Sequence, residues 1–368
     1  MLIDDALLRL MRNLQLAHSF SEAEWDETIR LARVANVIAR LAEDLDVAGL
    51  LQVVPDAPRS HLIAARKLGR RQHIAGITEI ERVRTALAQS GLRTVLLKGA
   101  AYLAADLPLS RGRLFGDIDL IFPQSDLREA ESALLLNGWS CGTVSEYDQR
   151  YYRQWMHELP PFTHFKRHST IDVHHNILPS TARHPPDARL LLEHARELPH
   201  MPGVFVLSQA DMVLHSACHL FHEGEFMNGL RDLSDLDRLL RHFGEQDGFW
   251  AELTQRAGLL HLLTPLHYAT RMCAKLLGTP IPEDVAERLR EAGPHGIHLA
   301  MMDALYLRAL RAAHPLTADR WTGSARWALY VRAHWLRMPP HLLAAHLARK
   351  AWLRFSGQPE VQPLETDN

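Results

Sequence analysis

Cysteine is scarce in this chain. The three present among 368 residues, Cys141, Cys218 and Cys273, stand far apart and form no C-x-x-C pair. That spacing excludes a disulfide framework and a thiolate zinc site, and it fits a reducing cytoplasm. Net charge is scarce too: 41 Lys and Arg stand against 43 Asp and Glu. A balance of this kind gives no global field to hold nucleic acid or an anionic membrane, so any polyanion site must be local. No apolar run approaches membrane-spanning length. The start, "MLIDDALLRLMRNLQ", carries two early acids, unlike a secretory signal. The expectation is a cytoplasmic protein without a transmembrane segment. No internal repeat is present.

What is there divides into four stretches. Residues 1–92 read as a helical region. "EAEWDETIRLARVANVIARLAEDL" places Trp25, Ile29, Leu31, Ala32, Val34, Ile38 and Leu41 at three-to-four spacing, behind a Ser21–Glu24 capping box. A longer helix is expected over about 61–90, closed by Gly91. Residues 93–206 change character: "TVLLKG" reads as a buried strand, "AAYLAAD" as helical turns and "DIDLIF" as a second strand. A helix capped by Ser125 and closed by Gly138 follows, and "FTHFKR" with "TIDVHH" forms a hairpin turning at His168 and Ser169. Residues 207–356 return to helix, opening on a Ser208–Asp211 capping box, and the polar tail 357–368 reads as disordered. The fold class expected is α+β, a small mixed-sheet core flanked by N- and C-terminal helical regions.

Asp117 and Asp119 interrupt an otherwise apolar strand. Side chains alternate along a strand, so these two share one face while Ile118, Leu120 and Phe122 take the other. Their Cα atoms lie roughly 6.5–7 Å apart, close enough for both carboxylates to reach one divalent cation. Without a cation, the like charges repel. Oxygen donors with no cysteine nearby favour Mg²⁺ or Mn²⁺ over zinc. Asp172, in "TIDVHH", is a third acid placed mid-strand. A single Asp after Gly116 would be an ordinary turn residue; three acids within one small sheet are not. Gly99 ends one strand and opens a helix, where a residue without Cβ lets backbone N–H groups approach a phosphate.

The order "LLKGAA…GDIDLIF…TIDVHH" resembles the nucleotidyltransferase superfamily that includes DNA polymerase beta. It is most similar to a poorly characterised bacterial nucleotidyltransferase family with "LKG", "R-x-x-x-D-I-D-L" and "D-L-H" signatures, whose helical region resembles "LHSACHLFHEGEF…LRDLSDLDRLL". The resemblance implies that Asp117, Asp119 and Asp172 are catalytic metal ligands. It also implies that Gly99 and Gly116 lie at the nucleotide and that Lys98 and Arg113 contact phosphate. The activity implied is metal-dependent transfer of NMP from an NTP such as ATP to a hydroxyl-type acceptor, with release of pyrophosphate. The acceptor, whether small molecule, peptide or protein, is not written in these motifs. Two departures stand out. Gly99 is followed by Ala100 where the wider superfamily has Ser or Gly, and the gap from Gly99 to Asp117 is longer, as if "DLPLSRGRL" were inserted.

Rival readings remain open. The fold can survive as a catalytically inactive binding or docking module. His215, His219 and His222, with Cys218, share a helix at metal-compatible spacing, which would suit a zinc hydrolase, although helix packing or hydrogen bonding is the favoured reading, since apolar neighbours surround them with no carboxylate close in sequence. His215 and His219 are carried as cleft candidates, and so is His174, which shares a strand face with Asp172. Residues 320–359 hold seven Lys or Arg and no acid, interleaved with Trp321, Trp327, Trp335 and Trp352; tryptophans packed inward with arginines snorkelling outward is the expectation there.

Overall fold

The computed structural model describes residues 5–114, 116–142, 156–222, 224 and 226–337. The tail 357–368 and Trp352 lie outside the described residues. The chain divides into two contact units. One gathers residues 1–78, 102–115 and 209–330; the other gathers 79–101, 116–208 and 331–368.

The first unit is helical. α1 (Ala6–Arg12), α2 (Glu22–Val34) and α3 (Ile38–Val47) open it, and α2 begins with the Ser21–Glu24 capping box, in which both reciprocal hydrogen bonds form. The stretch expected as one helix is therefore two. Asn36 takes a left-handed φ of 55° between them, a conformation that Asn tolerates better than most residues and that stops a helix. Six of the seven expected core positions are buried, and Val34, on the last turn before the break, is exposed. α4 (Asp56–Ala88) starts earlier than expected because Pro58 fits its first turn. The helix Gln209–His222 packs against the helices Gly229–Gly244, Phe249–Leu259 and Leu263–Leu277. A buried ion pair from Arg256 to Asp211, at 2.7 and 3.0 Å, ties two of them. Trp321 and Trp327 are exposed here, and Trp335 is exposed in the other unit, so the inward packing expected for them does not occur.

The second unit is built on a seven-stranded mixed sheet in the order β3-β4-β5-β2-β1-β7-β6. The strands are β1 (Thr94–Leu96), β2 (Asp117–Ile121), β3 (Trp139–Ser140), β4 (Phe162–His164), β5 (Thr170–His174), β6 (Arg196–Glu197) and β7 (Val204–Val206). β2 runs antiparallel to β1 and parallel to β5. Val95, Leu96, Ile118, Leu120, Ile171 and Val173 are buried in these three central strands, the β-branched and leucine residues that suit a sheet covered on its faces. The expected hairpin is β4–β5, with His168 at a positive φ in its turn. α6 (Leu127–Leu136) follows β2 through a short turn, and its N-cap is Asp126 rather than Ser125, whose hydroxyl donates to the Asp126 carboxylate instead. The result is the α+β class read from the sequence.

The hairpin is pinned from outside the sheet. Glu79, buried near the end of α4, accepts from the Arg167 guanidinium at 2.8–3.1 Å and from the Ser169 hydroxyl at 2.6 Å. Arg167 also lies over the Trp139 ring. These contacts fix both ends of the turn leading into β5, the strand that presents Asp172 and His174.

Candidate metal centre and active site

β2 and β5 pair in register, with Asp119 opposite Asp172 and Asp117 opposite Thr170. This register puts three carboxylates on one side of two neighbouring strands. One ligand oxygen from each of Asp117, Asp119 and Asp172 lies within 4.8 Å of the others. Asp117 is exposed at the strand's start, Asp172 is half-buried and Asp119 is buried.

The buried member is held by two hydrogen-bonding partners. The Lys98 ammonium donates to Asp119 Oδ1 at 2.9 Å, and His174 Nε2 meets the same oxygen at 3.0 Å. Burial disfavours the Asp119 carboxylate, but the Lys98 charge and the His174 hydrogen bond outweigh it, and the carboxyl stays well below the usual range. Asp172 responds in the opposite direction. Burial, reinforced by the charges of Asp119 and Asp117, pushes it up to about 8. Its Oδ1 is buried without a hydrogen-bond partner. An orphaned, proton-holding carboxyl beside two others is the condition a divalent cation relieves. The donor set, all carboxylate oxygen, fits Mg²⁺ or Mn²⁺.

Lys98 opens α5 (Lys98–Ala104) with a φ of +46°. A lysine in the left-handed region is uncommon, and such strain persists where surrounding structure fixes it. Here it lets the chain leave β1 and turn at once into helix while the ammonium reaches across to β2. Gly99 is buried in the first turn, and Gly116 is exposed just before Asp117.

His174 has a second neighbour. Its Nδ1 lies 3.5 Å from Glu158 Oε2, and its ring is tilted against that of His157, with centroids 5.4 Å apart. Burial opposes its charged form, but the Asp119 hydrogen bond and the Glu158 charge raise its pKa above the ordinary value. His157 and Glu158 carried no recognisable spacing motif, and only their backbone pairing with β5 brings them to the site: His175 N–H donates to His157 C=O, and Leu159 N–H to Val173 C=O, both at 2.8 Å.

The other sequence candidates belong to the helical unit. Arg113 is buried and donates through Nε to Asp235 at 2.8 Å, and Arg40 meets the other oxygen of the same carboxylate at 2.5 Å. Despite burial, the two guanidiniums hold the Asp235 carboxyl down at about 2. The inserted loop ends in this network, because Arg40 also donates to Leu109 C=O. Gly112 in that loop has φ +70° and presses on α3, where a Cβ would stand 2.6 Å from Ala39 O. His215 is buried on the helix Gln209–His222 and His219 is half-buried there. Among the described residues, two groups of His, Cys, Asp and Glu can hold a metal, and neither draws on that helix.

A family described as uncharacterised nucleotidyltransferase matches residues 21–278. The chain belongs to this family. No curated protein and no solved structure gives a match. The match spans both contact units, so the helical residues 209–278 belong to the family as much as the sheet does. Among the described residues, no helix is long and apolar enough to cross a membrane.

Proposed function

We propose that the protein is an active nucleotidyltransferase that moves NMP from an NTP to a hydroxyl-type acceptor and releases pyrophosphate. The observation that carries this reading is the convergence of Asp117, Asp119 and Asp172 within 4.8 Å on two in-register strands. Mg²⁺ or Mn²⁺ bound there would lower the pKa of the acceptor hydroxyl and neutralise charge growing on the pyrophosphate. Asp117, Asp119 and Asp172 would hold the ion, and the Asp172 carboxylate, once ionised, would also receive the proton of the attacking hydroxyl. Lys98, once it parts from Asp119, offers its ammonium to the phosphate oxygens, with Gly99 and Gly116 allowing close backbone approach. The hydroxyl oxygen bonds to the α-phosphorus as the bond to the pyrophosphate oxygen breaks. Arg113 would reach phosphate only by leaving Asp235, so its role in this reading is to hold the inserted loop.

The test is thermal stabilisation by ATP, GTP, CTP and UTP, each with and without Mg²⁺, on wild type and Asp117→Asn. Asp117 is the right position because it is exposed, whereas Asp119 also anchors Lys98 and His174. A metal-dependent rise with at least one nucleotide, lost in the variant, supports the reading. Folded protein that responds to no nucleotide at millimolar concentration turns it toward a docking module.

A further inference from the structure

We propose that His157, Glu158 and His174 form a second cation site, suited to a first-row transition ion such as Zn²⁺, that adjoins the acidic group through the Asp119–His174 hydrogen bond. This goes beyond nucleotidyl transfer and needs no nucleotide.

The orientation of His174 is the first argument. The Asp119 carboxylate only accepts hydrogen bonds, so the ring nitrogen facing it, Nε2, carries the hydrogen. Nδ1 is buried without a hydrogen bond, 3.5 Å from the carboxylate oxygen of Glu158. These two atoms stay together only with a positive charge between them, a proton on Nδ1 or a metal ion that takes its place. An imidazole that donates one N–H to a carboxylate and offers the other nitrogen outward is the arrangement metal-bound histidines adopt, since the carboxylate fixes the tautomer and raises ligand basicity.

Distance is the second argument. Zinc bonds of about 2.0–2.1 Å to nitrogen and about 2.0–2.2 Å to oxygen, at a tetrahedral angle, separate the two ligand atoms by about 3.3–3.5 Å. His174 Nδ1 and Glu158 Oε2 are 3.5 Å apart. One ligand atom from each of His157, Glu158 and His174 lies within 4.8 Å of the others. His157 and Glu158 are held by backbone hydrogen bonds along β5, and Glu158 forms an antiparallel bridge with His174, so all three ligands sit on one rigid patch. Two imidazoles and one carboxylate select zinc or a similar ion, whereas the three aspartates select a hard ion. Two ion types would thus be sorted onto opposite sides of one Asp–His pair.

The experiment uses the full chain, stripped with chelator and dialysed against Zn²⁺ with millimolar Mg²⁺ present to fill the acidic group. Zinc per chain is read by elemental analysis, and the ligand field by the absorption spectrum of the Co²⁺ form. One zinc per chain is expected in wild type and in the double variant Asp117→Asn/Asp172→Asn. Zinc affinity should fall at least about tenfold in Glu158→Gln and in His157→Ala; Glu158→Gln nearly preserves side-chain shape and guards against a folding defect in the other. The proposal is overturned if wild type holds no zinc, which would leave a protonated His174 bridging Asp119 and Glu158. It is also overturned if both site variants bind like wild type, or if zinc disappears in the aspartate double variant. None of these outcomes depends on whether nucleotide binds.

Discussion

Asp119 and Asp172 are register partners across the parallel β2–β5 ladder, yet one is held ionised by Lys98 and His174 while the other keeps its proton to about pH 8. Burial and neighbouring charge divide two identical side chains into opposite states.

Asp172 is therefore a source of pH-dependent instability in ion-free protein. Below about pH 4 it is protonated folded and unfolded alike; between about 4 and 8 only the unfolded chain ionises it, so stability falls as pH rises through that window. Asp172→Asn removes the effect. In chelator, the variant should match wild type near pH 4 and exceed it at pH 8 by at least about 1 kcal/mol, or about 1 °C or more in Tm. Equal melting at pH 8 would contradict the assignment.

Metal binding should release that proton. Calorimetric titration of Mg²⁺ at pH 7 in two buffers of different ionisation enthalpy is expected to show close to one proton leaving per ion, with affinity rising from pH 6 to 8. In Asp172→Asn the buffer dependence should vanish. A wild-type protein whose heat does not depend on buffer would mean that the ion is held elsewhere.

Lys98 competes with an incoming cation for Asp119 Oδ1. Lys98→Met should raise Mg²⁺ affinity in the absence of nucleotide, on the order of tenfold, and should abolish stabilisation by Mg²⁺-nucleotide if the ammonium serves phosphate. Opposite changes from one substitution would separate this role from a structural one, since simple loosening of the site weakens both.

Asp235 neutralises two buried arginines at once. Asp235→Asn leaves Arg40 and Arg113 without their shared carboxylate and should cost about 3–5 kcal/mol of stability, read by urea unfolding of the helical unit's near-UV signal. A loss under 1 kcal/mol would show that the network is slack enough to free Arg113 for other partners.

Much of the fold could be read from sequence because its signals are local. Ser21 and Glu24 satisfy each other within one turn, and Gly91 and Gly138 mark chain reversals through their own φ. Asp119 is legible because strands rarely carry an acid at a buried position, and Asp117 because it shares that face two residues earlier. Other features depended on partners far along the chain. Nothing beside Arg113 names Asp235, and nothing in "MHEL" shows that His157 and Glu158 will lie along β5. The break at Asn36 was hidden because apolar spacing continues through it, and a left-handed residue leaves no mark on periodicity.

The in-register pairing of β2 with β5 would make ion binding a test of strand register. If β5 slipped by one residue, Asp172 would turn to the opposite face and Ile171 or Val173 would take its place among the carboxylates. Such a slip separates the three oxygens, and a chain misaligned in this way would gain nothing from the ion in solution.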